Sequence, residues 1–258
     1  MSQPDTLFLK LSGGEADRLE AWIERAAALA EQPRDSDPRG WLSALGTAAN
    51  SGALRPDDVN GIGAAFGEVL AHDAGLVWTM VLDSWGGQES VAFGLRYPGT
   101  TLVCFPLDMI HKRAGRERLN LAQLLAGTVT GVRGAQRQVG PPQQEPPWEQ
   151  CVYGLDSIDL TARRPDGAVL VVLVTVGRMT DDARIRRLLA YKLRTYEGYI
   201  SGRTGTFAPD YGNPPAIIVR VSCAEPPAPT IEQWLRREGD RLHAADPRIT
   251  LEVTIGPA

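Results

Sequence analysis

The chain has 258 residues, 43% of them hydrophobic and 22% charged, and a net charge of -4. This is the composition of a globular protein with enough apolar residues for two ordinary cores, and its charge gives no general attraction to nucleic acid or to an anionic membrane. Cys104, Cys151 and Cys223 are too few and too scattered for a disulfide framework or a zinc site, no apolar run reaches the ~18–20 residues of a bilayer span, and the opening MSQPDTLFLKLSGG lacks the basic and apolar regions of a secretion signal.

Asp17 to Ala30 is amphipathic at helical spacing, with Leu19, Trp22, Ile23, Ala26 and Leu29 on one face. Asp37-Pro38 supplies a cap and a first-turn proline for a second helix that offers Trp41, Ala44, Leu45 and Ala48 to the core. A third helix begins near Asp57, carries Val59, Ile62, Phe66, Val69 and Leu70 inward, and stops at Gly75. The period then becomes two. Val77 to Asp83, Ser90 to Arg96 and Thr100 to Phe105 read as strands, separated by Trp85-Gly86-Gly87-Gln88 and Tyr97-Pro98-Gly99. A helix capped by Asn120 closes this first module, residues 1–135, in the order αααβββα.

Residues 136–150, QRQVGPPQQEPPWEQ, hold four prolines and five glutamines and read as an extended spacer. The second module, residues 151–258, starts with strands Leu155 to Ala162 and Ala168 to Val176 around a Pro165-Asp166-Gly167 turn. The second of these, AVLVVLVTV, is apolar on both faces and therefore central and covered on both sides. A long helix from Asp181 buries Ile185, Leu188, Leu189, Leu193, Tyr196 and Ile200. Strand Pro215 to Cys223 follows, then a helix opened by a Thr230…Gln233 capping box, then strand Ile249 to Ile255. The order is ββαβαβ. The whole is an α+β protein of two small modules, each a mainly antiparallel sheet packed with helices.

Two stretches carry family resemblances. Ile62 to Gly67, Gly75 to Trp78 and the run Phe105 to Arg113 (FPLDMIHKR) resemble the bacterial family known as domain of unknown function 3806, over about residues 55–135. The helix containing Tyr191-Lys192-Leu193, Tyr196 and Tyr199 to Gly202 resembles domain of unknown function 6572, over about residues 155–245. In that family a hairpin precedes a Leu-Leu-x-x-Lys-Leu helix ending near Ser-Gly. Here Thr175 to Met179 stand where the family has an acidic and aromatic stretch, which implies altered contacts. Both resemblances imply a fold rather than an activity.

The chemical motifs are sparse. Gly61-x-Gly63-x-x-x-Gly67 misses the dinucleotide-loop spacing and lies inside a helix, so close helix packing explains it. Asp166 is a turn residue, because the second carboxylate of a metal-dependent nuclease is missing after the next strand. His72, His111 and His243 are isolated, and Cys104 and Cys223 sit in apolar runs as buried, inert thiols, so a Cys104–His111 pair is set aside.

The remaining candidates are a polar cluster of Asp83, Asp108, His111, Lys112 and Arg113, continuing to Arg116 and Arg118, and a helix face with Arg184, Arg187, Lys192 and Arg194 suited to an anionic partner. No catalytic residue, cofactor or metal site is assigned. Residues 1–150 carry 13 Lys+Arg against 18 Asp+Glu, so the first module suits a basic partner. The expected protein is a cytoplasmic bacterial protein, leaning away from catalysis, that binds another protein as an adaptor or immunity-type protein. Two alternatives stand beside it: an enzyme with its site between the modules, using Asp83, Asp108, His111 and Lys192, and a weak nucleic-acid binder using the arginine-bearing helix 181–201.

Overall fold

The computed structural model describes residues 6–33, 37–85, 88–116, 118–142, 150–203 and 207–256. The chain divides into two compact units, residues 1–146 and 147–258, each with its own four-stranded sheet. The fold is α+β.

The first unit runs β1 (Leu7–Leu9), α1 (Gly13–Ala30), α2 (Pro38–Ser51), α3 (Pro56–Ala74), β2 (Val77–Trp85), β3 (Gln88–Arg96), β4 (Val103–Cys104), α4 (Pro106–His111) and α5 (Leu121–Val139). The sheet order is β1-β2-β3-β4, antiparallel throughout. β2 and β3 pair from Val77↔Arg96 to Trp85↔Gln88, and the Gly86-Gly87 turn lies outside the described residues. α1 starts a turn earlier than the periodicity suggests, because Ser12 and Glu15 form a reciprocal capping box. Asp37 caps α2 through the Gly40 amide at 2.8 Å, and Gly75 ends α3 in the left-handed region with φ 62°.

The three α3 glycines each meet a different element. A Cβ on Gly61 would lie 2.9 Å from the Trp22 carbonyl of α1, and one on Gly63 would lie 2.9 Å from Leu107 of α4. A Cβ on Gly67 would collide with the Trp78 ring of β2. Their role is close packing around α3, the buried centre of this unit, where Ile62, Phe66 and Leu70 are almost fully enclosed. On the sheet's far face the Arg96 guanidinium stacks 3.9 Å over Phe8, the residue opposite Val81.

Three expectations for this unit need correction. β1, whose short apolar run carries no turn signal, adds an edge strand to the meander. The third predicted strand shrinks to Val103–Cys104, because Thr100 bonds back to the Tyr97 carbonyl and prolongs the turn. The spacer does not begin at Gln136: α5 continues to Val139 before Gly140 turns to φ 85°, and Gln136 anchors it by donating to the Ala74 carbonyl at 2.6 Å. The rest of the predicted spacer, from 143 to 149, lies outside the described residues.

The second unit runs β5 (Leu160–Arg163), β6 (Val169–Val174), α6 (Ala183–Ile200), α7 (Phe207–Tyr211), β7 (Ile217–Cys223), α8 (Pro229–Ala245) and β8 (Ile249–Ile255), with strand order β5-β6-β7-β8. β5 and β6 pair antiparallel, but β6–β7 and β7–β8 pair parallel. The expected mainly antiparallel sheet is therefore wrong for this unit. The reason is connectivity: α6 and α8 are crossover helices, and a crossover returns the next strand in the same direction. The continuous apolar run of β6 is the signature of such a parallel, central strand.

Right-handed crossovers that step the same way place α6 and α8 on one face of the sheet. Val169, Val171, Leu173, Ile217, Val219, Val221 and Ile249 are buried on that face. The two-sided cover expected for β6 is only partial, since Leu170 and Val174 on the opposite face are half-exposed. α8 starts at Pro229 with no side-chain cap, so the Thr230…Gln233 capping box does not form. The first strand begins at Leu160 rather than Leu155, because residues 150–159 form a loop pinned by α6.

Candidate partner-binding site

The predicted polar cluster does not assemble as one site. α4 follows β4 at the Trp78–Leu95–Cys104 end of the hairpin, whereas Asp83 lies five residues further along β2, roughly 17 Å at strand rise. There Asp83 pairs with Ser90 and accepts from the Thr6 hydroxyl at 3.1 Å.

Asp108, His111, Lys112 and Arg113 stay together on α4 and its following turn. His111 Nε2 lies 2.7 Å from Asn60 Oδ1, which ties α4 to α3. Arg113 Nη1 donates to the Met109 carbonyl at 2.8 Å, closing the last turn of α4 and holding the guanidinium in place. Beyond it, a cleft of about 460 Å³ opens between this turn and α5. Arg113, Arg118, Asn120 and Gln123 supply its polar lining, and Met109, Leu119 and Leu124 its apolar lining. The basic run from His111 to Arg118 could have pointed to this cleft. The apolar lining could not be read from it, since Leu124 arrives from a separate helix.

Cys104, half-buried in β4, has a thiol raised to about 11 by burial. Cys223 is fully buried and its thiol is also pushed up by burial. Thiols held up in this way stay protonated and are poor nucleophiles.

The second predicted constellation splits in two. Lys192 is not a surface contact: its side chain is fully buried. The Nζ donates to the carbonyls of Tyr153 at 3.2 Å, Ser157 at 2.9 Å and Gly154, and to Asp159 Oδ1 at 2.6 Å. Asp159 Oδ2 accepts from the Val174 amide at 2.8 Å, and its own amide donates to Tyr196 Oη at 3.2 Å. Tyr196 Oη in turn donates to the Val172 carbonyl at 2.7 Å. Burial, and then the Asp159 charge, push the Tyr196 hydroxyl well above its ordinary value, so it serves as a neutral donor. Together these bonds clamp loop 150–159 to the end of β6. The sequence held the signal: Lys192 falls four residues after Leu188 and four before Tyr196, on the buried stripe.

The arginines of α6 do face outward. Arg184 grips its own helix cap, Asp182, with Nη2 at 2.6 Å from Oδ2, which holds the Asp182 carboxyl below its ordinary value. Arg186 pairs with Asp181 at 3.7 Å and Arg194 lies 5.6 Å over the Tyr191 ring. Arg187 is half-buried. Asp181 and Asp182, just ahead of the helix, thus neutralise part of the charge expected to attract an anion.

Residues 47–123 match the model of a family described as Domain of unknown function (DUF3806). This span holds α3, the meander and the α4 turn, the same stretch on which the sequence resemblance rests. No curated protein matches the chain. Among solved structures, the chain is similar to crystal structures of Mglu. The native form is 15% identical with TM-score 0.24, and the glutamate form 15% identical with TM-score 0.23. They cover 83% and 85% of this chain but 50% and 54% of the matched ones, so the chain spans about half of their length. A third, the L-glutamate binding form in 4.3 M NaCl, is 14% identical with TM-score 0.22, over 92% of this chain and 68% of that one. At such scores nothing transfers to this chain. No helix among the described residues is long and apolar enough to cross a membrane.

Proposed function

We propose that the protein is a non-enzymatic, protein-binding protein of adaptor or immunity type, which takes an acidic segment of another protein in the α4–α5 cleft. The observation that carries this reading is that Arg113 and Arg118 line one cleft of about 460 Å³ together with Met109, Leu119 and Leu124. Guanidinium groups recognise carboxylates through paired donors, and the apolar lining of Met109, Leu119 and Leu124 suits an apolar side chain next to the carboxylate. A bare inorganic anion would leave that apolar lining uncovered. The partner's charge is thereby the reverse of what the net acidity of residues 1–150 suggests, because local charge at the contact governs pairing more than the module's total.

A fluorescent peptide rich in Glu and Leu, titrated against the full chain, should bind, and its Gln-for-Glu analogue should bind at least tenfold more weakly. The variant Arg118→Glu should lose the peptide while keeping its melting temperature. Equal binding of the two peptides would sink the reading.

A further inference from the structure

The outer edge of the second sheet is a long strand, β8. β8 spans Ile249–Ile255 and, among the described residues, pairs along its whole length with β7 alone. Arg248 O accepts from Ile217 N at 2.8 Å, and Gly256 N donates to Cys223 O at 3.0 Å. These bonds fix the alternation. The main-chain groups of Thr250, Glu252 and Thr254 turn toward β7, and those of Leu251, Val253 and Ile255 turn outward. Ile249 is capped at the edge, its amide by the Asp246 carbonyl at 2.9 Å and its carbonyl by His243 Nδ1 at 3.0 Å. Among the described residues no hydrogen bond reaches the outward groups of Leu251, Val253 or Ile255. Proteins guard such edges with Pro, Lys, bulges or brevity. The strand ITLEVTI has no Pro and no Lys, and its one charge, Glu252, is held by Arg220 at 3.1 Å.

The same seven residues read alike in both directions about Glu252: Ile with Ile, Thr with Thr, Leu with Val. We propose that a second copy of this chain pairs antiparallel with β8 about a two-fold axis at Glu252, joining two four-stranded sheets into one of eight strands. In that register Leu251 and Val253 of the second copy exchange main-chain hydrogen bonds, since both turn outward. Thr250 stands opposite Thr254. The two Glu252 side chains meet, each with its own Arg220 alongside, so two carboxylates share two guanidinium groups.

The helix layer fits the same axis. Gly239 of α8 rests on Leu251, where an added Cβ would lie 3.3 Å from the Leu251 side chain. A strand advances ~3.3 Å per residue and a helix ~1.5 Å, so Glu252 lies abreast of the helix about two residues before Gly239. An axis there sends Arg236, ion-paired with Glu232 of its own helix at 2.6 Å, toward Asp240 of the second copy, and brings Glu232 near the second copy's His243. All four line the cleft of about 690 Å³ beside β8, together with Leu251 and Val253. The second copy's own Leu251 and Val253 would occupy the apolar part of that cleft. The proposal is independent of the acidic-partner reading, which concerns the other unit.

Sedimentation velocity on the full chain should show a dimer. Thr250→Lys/Thr254→Lys places like charges opposite each other on the exposed face and should give a folded monomer, and Thr250→Glu/Thr254→Glu should do the same. Mixed in equal amounts, the two should recover a dimer containing one chain of each. Val253→Pro removes an outward amide and no bond to β7, so it should also yield a monomer with unchanged far-ultraviolet circular dichroism. A monomeric parent chain, a Lys variant that stays dimeric, or a mixture that fails to associate would each overturn the proposal.

Discussion

In the first unit both outer strands are very short, three residues in β1 and two in β4, whereas the second unit ends on a seven-residue strand. The first sheet also covers part of its own far face, with Phe8 and Arg96 stacked there. The second carries helices on one face and leaves Leu160 54% exposed on the other. The units also place their buried charges differently. In the first, Asp58 joins helices, accepting from Arg25 Nε at 2.8 Å and from the Arg55 amide at 3.0 Å. In the second, Lys192 joins a helix to a loop. The contrast separates a self-contained module from one whose sheet is open to extension. It also gives each unit a distinct point of failure.

The largest expected effect falls on the second unit. Lys192→Ala would strand the Tyr153, Gly154 and Ser157 carbonyls and leave the Asp159 carboxylate without its cation. Removing one member of a buried pair costs about 3–5 kcal/mol. Calorimetry should show one transition falling steeply while the other holds. If both moved together, the units would not be energetically separate.

Gly67→Ala tests the first unit in the same way. The added methyl meets the Trp78 ring and Pro106, and overpacking of this kind costs about 1–3 kcal/mol. The other transition should now be the one that falls. A neutral result would show that Trp78 moves aside freely.

The smallest effect is a pH dependence in the second unit. Arg248 forks onto Asp246, with Nη2 2.6 Å from Oδ2, and this hydrogen bond holds the Asp246 carboxyl below its ordinary value. A depressed carboxyl stabilises the fold above its unfolded pKa of about 3.9, and that contribution is lost as pH falls through the folded value. The pair is partly exposed, so Asp246→Asn should cost under about 1 kcal/mol at neutral pH. The gap between variant and parent should close in acid. A gap that persisted there would assign the effect to packing instead.

Local chemistry determined most of the long helices in advance, though not the Ser12 cap of α1 or the uncapped start of α8. Asp37, Asn120 and Gly75 act as the sequence indicates, because a cap is made within one turn of the chain. The buried stripe of α6 and the packing role of the α3 glycines were legible for the same reason: periodicity reports which face turns inward. The site was less legible. Asp83 and Asp108 are close in sequence character but lie toward opposite ends of a hairpin, and the apolar lining of the Arg113 cleft comes in part from a separate helix.

Only tertiary structure decided the direction of β7 and β8, the loop groups that receive Lys192 and the open edge of the second sheet. Strand direction depends on where a crossover helix packs, and a buried lysine's partners depend on which distant carbonyls arrive to receive it. The chemical palindrome of ITLEVTI was present in the sequence throughout. It became informative only once the fold placed that strand at an edge, because symmetry in a strand matters only where its main-chain groups remain open to pair.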